Sequence, residues 1–184
     1  MSKGEESFSK GVSTIDPFGF PTNFHGVDSK TAVNSIKLFG SGKSSWVSER
    51  SVTKSRETID SWKVLVARAT DGNEVYPLPI WDLKGPFVAS PQQVCSWTYL
   101  VARIAETEQE AAAVAKYMRT RFFRFLVWLR KPTQDNKADN FSFVPVQDWS
   151  CDMTDEYLFS RYGLTDDDIK FVEAMIRPME LENG

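Results

Sequence analysis

Thr107-Glu108-Gln109-Glu110-Ala111-Ala112-Ala113-Val114-Ala115-Lys116-Tyr117-Met118-Arg119-Thr120-Arg121-Phe122-Phe123-Arg124-Phe125-Leu126-Val127-Trp128-Leu129-Arg130-Lys131-Pro132 decides the fold class. Thr107 with Glu110 three residues on reads as a capping box, and Pro132 as the stop. Between them Ala111, Val114, Ala115, Met118, Phe122, Phe125, Leu126 and Leu129 recur at helical spacing. The spacing predicts one long helix from about Glu108 to Arg130. Beyond Phe122 the stretch is apolar nearly all round, so its second half is expected to be deeply buried.

On the N-terminal side the signals turn strand-like. Ser35-Ile36-Lys37-Leu38-Phe39 runs into the turn Gly40-Ser41-Gly42. Trp62-Lys63-Val64-Leu65-Val66-Ala67-Arg68-Ala69 is rich in β-formers and is followed by the turn Asp71-Gly72-Asn73. Val94–Val101 reads as another, mostly buried strand. On the C-terminal side Phe141–Val146 alternates, with Pro145 suiting an edge or strand end. Two short helices follow. One starts after Thr154 and stops at Gly163; the other starts after Thr165, with three aspartates in its first turn, and ends before Pro178. A strand-rich front, one long buried helix and two short C-terminal helices make the chain α+β. Residues 1–14 are expected as a flexible lead, 15–180 as a single α+β recognition-like domain and 181–184 as a tail.

Composition narrows the class. The 184 residues are 41% hydrophobic and include 13 Phe and 6 Trp, enough for a real core. No apolar run approaches the roughly 18 residues that a bilayer span needs. Met1–Glu6 is polar with no apolar block after it, so no secretory signal is expected, and Cys95 and Cys151 read as reduced thiols of a cytoplasmic protein. The net charge of −3 hides an asymmetry: residues 1–131 hold 18 Lys and Arg against 13 Asp and Glu, residues 132–184 hold 4 against 12. A basic body with an acidic tail allows a surface that faces a polyanion.

Two stretches suit such a partner. Lys116–Lys131 carries six cations and no acid, with aromatics between them. Its arginines suit phosphate oxygens, and they equally suit ion pairs with the acidic tail. Asp16-Pro17-Phe18-Gly19-Phe20-Pro21-Thr22-Asn23-Phe24-His25-Gly26 is rigid and aromatic, and reads either as a recognition loop or as a loop that plugs its own core. Lys43, Arg50, Lys54, Arg56 and Lys63, interleaved with hydroxyls and Trp46, form a second basic cluster. Catalytic signals are sparse. Asp82-Leu83-Lys84, with Asp60, Asp71 or Glu74 upstream, has the acid-any-Lys triplet of a metal-dependent nuclease, but Gly85-Pro86 breaks the strand at once. His25 is the one histidine, and no Ser or Cys motif announces a nucleophile.

Five strings, in order, resemble the C-terminal region of bacterial adenine-specific DNA methyltransferases fused to restriction endonucleases in restriction–modification systems. They are Asp60–Val64, Val94–Leu100, Lys116–Leu126, Phe143–Trp149 and Tyr162–Thr165, and the lead Phe18–Phe24 is similar to the segment that opens that region. Trp97 stands where the family more often has an acidic residue, and Arg121 where it more often has Lys. The family's methyl-transfer chemistry lies upstream, in a domain with an Asn-Pro-Pro-aromatic motif and an S-adenosylmethionine pocket; this chain holds no adjacent prolines. The resemblance therefore implies a DNA-recognition or accessory domain, with no cofactor of its own, that works beside a methyltransferase catalytic domain or subunit on double-stranded DNA. Arg119, Arg121, Arg124, Arg130 and Lys131, with Lys43, Lys54 and Arg56, are the expected phosphate contacts. Thr22, Asn23 and His25 are the expected base contacts, since Asn reads adenine through two hydrogen bonds. A metal-dependent endonuclease using Asp82 and Lys84, and a protein-docking module exposing Phe122, Phe123 and Trp128, are the alternatives.

Overall fold

A computed structural model describes residues 4–13, 16–30, 34–69, 76–78, 81, 85–131 and 135–179. The chain is α+β. Six strands precede four helices among these residues: β1 (Ser35–Phe39), β2 (Ser44–Ser48), β3 (Trp62–Ala67), β4 (Phe87–Ala89), β5 (Gln93–Cys95), β6 (Tyr99–Ala105), α1 (Glu108–Arg119), α2 (Arg121–Arg130), α3 (Asp155–Arg161) and α4 (Asp166–Met175). No helix among them is long and apolar enough to cross a membrane.

The strands form two three-stranded sheets, ordered β2-β1-β5 and β4-β3-β6. Alternation along β3 and β6 gives the second sheet two apolar faces. Val64, Val66, Leu100 and Ala102 join α1 and α2 in one core cluster. Leu65, Val101 and Ala89 face the other way and meet Ile36, Leu38, Val47 and Val94 in a second cluster. The layers thus run helices, central sheet, outer sheet.

One inward position of β3 breaks the apolar rule. Lys63 is fully buried, and its ammonium donates to the carbonyls of Ile59 (3.1 Å) and Ser61 (2.6 Å). It lies on the same side of β3 as Leu65, so it is no part of a surface basic cluster. Burial pulls its pKa down from 10.5 to about 8, against a smaller upward pull from Cys95 and Asp60. The unfolded chain therefore binds this proton more tightly than the folded one, and stability rises with pH between about 8 and 10.5. Below pH 8 both states are protonated and the penalty is constant. Compared with Lys63→Met in urea titrations, the native protein should gain up to ~2 kcal/mol between pH 7 and pH 9.5 that the variant does not. Equal pH slopes for the two would show that Lys63 titrates normally.

Four expectations change. The long helix is two helices: Thr120 is extended (φ −62°, ψ 150°), ends α1 and caps α2, its hydroxyl donating to Tyr117 O (2.7 Å) and accepting from Phe123 N (3.1 Å). A threonine between two charged residues offers this local alternative to a continuous helix. The Val94–Val101 strand is split by a turn at Ser96–Thr98, where the buried Ser96 hydroxyl bonds Thr98. Phe141–Val146 forms no strand; Ala138–Phe141 is a 3-10 turn, and only Pro145 pairs, with Ser7. The lead is not loose over residues 4–13. Phe8 is fully buried, its N–H donates to Val144 O (2.8 Å), and Ser13 N donates to Val101 O (2.8 Å). The Asp71–Asn73 turn lies outside the described residues.

Candidate nucleic-acid interface

The helical cations are mostly engaged by the protein itself. Arg124 is fully buried, and its Nε donates to the carbonyls of Arg119 (3.1 Å) and Thr120 (3.2 Å). Burial lowers its pKa to about 10, with Asp155 pulling the other way. Burial removes it from any phosphate in this conformation, which corrects the expectation. Arg119 clasps Pro86 O through Nε (3.2 Å) and Nη2 (2.9 Å). Arg121 pairs with Glu173 of the acidic tail at 2.9 Å, and Asp155 caps α2 by accepting from Arg121 N (3.1 Å) and Phe122 N (2.9 Å). Arg130 is exposed beside Asp139 (3.1 Å) and lies over the Phe143 ring. Lys131 is half-buried in a depression shared with Asp135, Lys137, Asp139 and Asn140, and burial lowers its pKa to about 8. Acid partners from the tail thus meet most of the cations of α1 and α2.

The loop behaves differently: its aromatic residues plug the core, while its polar tips stay at the surface. Phe18 and Phe20 are buried in the second core cluster, while Thr22, Asn23 and His25 are exposed. The anchoring is dense. Thr53 N donates to Phe18 O (3.3 Å), Trp97 N to Phe20 O (2.9 Å), and Val27 and Trp46 exchange two backbone bonds. Gly19 has φ +88°, and a Cβ there would sit 1.9 Å from Thr53 Oγ1. Only glycine fits that approach.

Thr22, Asn23 and His25 line an open depression of about 500 Å³ with Pro21, Ser41 and Trp97. Trp97 is 37% exposed. Its indole lies near the Asp16 carboxylate, which pairs with Lys54. Burial pushes the Asp16 pKa up, but Lys54, Trp97 and Gly19 N outweigh it and hold the carboxyl below its usual value. The partly exposed ring thus lines the depression beside three polar side chains.

The β2-β1-β5 sheet reaches this depression through Ser41 of its β1–β2 turn. Ile36 and Leu38 point inward and Lys37 outward, while Phe39, at the strand end, packs against the second cluster and Phe87, with Lys37 Nζ 5.0 Å from the centre of its ring. Lys37 is the register partner of Trp46, and Lys30 Nζ lies 5.4 Å from the Trp46 ring. Lys43, in the β1–β2 turn, is exposed and paired with Asp28 at 3.1 Å. Arg56 instead serves its own segment, donating to Val52 O (2.8 Å) and Glu49 O (3.2 Å). Lys30, Lys37, Phe39 and Trp97 were not among the expected contacts. The period-two alternation of Ser35–Phe39 was the signal that could have marked Lys37.

The two expected contact sets do not come together. The loop belongs to the outer-sheet cluster and α2 to the helix cluster, with the central sheet between them. Asp82, Lys84, Asp71 and Glu74 lie outside the described residues. Among the described residues no group of three or more His, Cys, Asp or Glu is placed to hold a metal ion. No family model, curated protein or solved structure matches the chain.

Proposed function

We propose that this chain is a DNA-binding target-recognition or accessory domain of a restriction–modification adenine methyltransferase, and that it grips DNA with its outer sheet and the Phe18–Gly26 loop, not with its long helical segment. The observation that carries the reading is the gathering of exposed Thr22, Asn23 and His25 around the open ring of Trp97. Lys30, Lys37 and Lys43, near Trp46, on β1 and in the β1–β2 turn, supply ammonium groups for phosphates. The ordered sequence strings point to the family. Methyl transfer and S-adenosylmethionine belong, in this reading, to the catalytic domain or subunit, and no residue of this chain is assigned to the cofactor.

The test is a salt titration of duplex binding. Affinity should fall steeply as salt rises, because each neutralised phosphate contributes a slope of about −0.9 in log K against log salt. Replacing Lys30, Lys37 and Lys43 together by Ala should flatten that slope by about 3, roughly one unit per lysine. A slope unchanged in the triple variant removes the sheet face from the reading; absence of duplex and single-strand binding at low salt removes the whole of it.

A second reading, docking on the catalytic half, draws on a different surface than expected. Phe122 and Phe123 are buried, whereas Leu129, Phe143 and Phe171 are about half exposed, and Phe171 meets Phe125 edge-on at 6.0 Å.

A further inference from the structure

The β1–β2 turn separates two aromatic depressions. Ser41 lines the Trp97 depression on one side. Gly40, Gly42, Lys43 and Ser44 line a second, of about 310 Å³, with Phe39, Phe87 and Tyr99. Its rings are already arranged edge to face: Phe39 and Phe87 at 5.1 Å and 70°, Phe87 and Tyr99 at 5.5 Å and 88°. The turn itself is short, closed by Gly40 N donating to Lys43 O (3.1 Å), and Gly42 at φ +76° leaves open space where a Cβ would stand. Little side-chain bulk rises between the two depressions.

An intact duplex shows a protein only the edges of its bases, because the faces are covered by stacked neighbours. A tryptophan that is 37% exposed and lines a depression suits the opposite, contact with a flat ring. Asn23, Thr22 and His25 at the rim suit the Watson–Crick edge of such a ring, which pairing would hide. Lys43 lines the second depression and Lys37 lies over its Phe39 ring, so both can meet a backbone phosphate there.

We infer that this face takes unpaired nucleobases, one stacked on Trp97 and a neighbour at the Phe39–Phe87–Tyr99 depression, so that its ligand is a single strand or a locally opened duplex. The inference rests on the nucleic-acid reading above and names its substrate class.

Fluorescence anisotropy of the full chain at low salt tests it, with a labelled 15-nucleotide DNA strand, the same strand annealed to its complement, and the RNA strand of the same sequence. The DNA single strand should bind at least about tenfold tighter than the duplex. Trp97→Ala should weaken single-strand binding by about tenfold, the loss of one stacked base, while Trp97→Phe keeps most of it. Trp97→Ala should cost the duplex clearly less than it costs the single strand, and thermal unfolding should confirm that both variants remain folded. The RNA arm distinguishes the source of the unpaired base: equal binding means that the 2′-hydroxyl is not read. Equal or tighter binding of the duplex, or an equal loss on both ligands in Trp97→Ala, overturns this inference and leaves duplex recognition standing. Absence of binding to all three ligands overturns both.

Discussion

Phe8→Ala is expected to cost about 4 kcal/mol, a large share of the stability of an ordinary domain. The ring is wholly buried in the helix cluster, 5.1 Å from Phe123 at 90°, 6.0 Å from Phe141 and 6.4 Å from Tyr117. Removing it subtracts the transfer energy of a large side chain, leaves a cavity among rigid rings, and deletes three aromatic contacts worth about 0.5–1 kcal/mol each at best. The neighbours cannot collapse easily, because Tyr117 is fixed by its hydroxyl donating to Pro145 O (2.9 Å). Phe8→Leu, which refills part of the volume, should recover more than half of the loss. Urea titration with far-ultraviolet circular dichroism measures both. Chain connectivity adds a second expectation. Phe8 N and Glu6 O hold Val144 and Val146, so the variant should also speed amide exchange at Val146. A cost under ~1 kcal/mol would mean that the N-terminal segment peels away and the core closes without it.

The same residue shows where sequence reading stops. A phenylalanine in a polar lead carries no periodicity, so nothing local says that it threads between elements more than 100 positions away. Elements whose information is local were legible. β1 ends where Gly40 begins a turn, and α3 and α4 start after Thr154 and Thr165, whose hydroxyls accept from Tyr157 N and Asp168 N. Elements that depend on partners were not. β2 is mostly serine and becomes a strand because β1 and Val27 supply its hydrogen bonds. Thr120 reads as an ordinary helical position until its hydroxyl is seen to cap the next segment. The site divides in the same way. Thr22, Asn23 and His25 were readable as polar tips on a loop rich in Pro and Gly. The fate of the arginines was not, because charge on a helix says nothing about which face a distant carboxylate, Glu173 or Asp155, will meet.

Arg124→Ala should cost about 3 kcal/mol, the sum of a side-chain cavity and an unsatisfied carbonyl. Its Nε spans the carbonyls of Arg119 and Thr120, where α1 stops and α2 begins. Thr120 O keeps the backbone bond from Arg124 N (3.2 Å), but Arg119 O at the end of α1 loses a charged donor. Arg124→Met fills most of the volume without the donor, so the difference between the two variants separates packing from hydrogen bonding; Met should cost about 1–2 kcal/mol. For a chain of this size that is a fall of roughly 2–8 °C in melting temperature. Such values would identify the guanidinium as the clamp that holds two helices at their break. The rival assignment, a phosphate contact, predicts the reverse: an unchanged melting temperature and a tenfold weaker grip on DNA in Arg124→Met. Because the side chain is covered on every side, duplex affinity of the folded Met variant should instead stay within twofold of the native value. A stable but binding-deficient Met variant would return the helical segment to the nucleic-acid interface and displace the outer sheet from it.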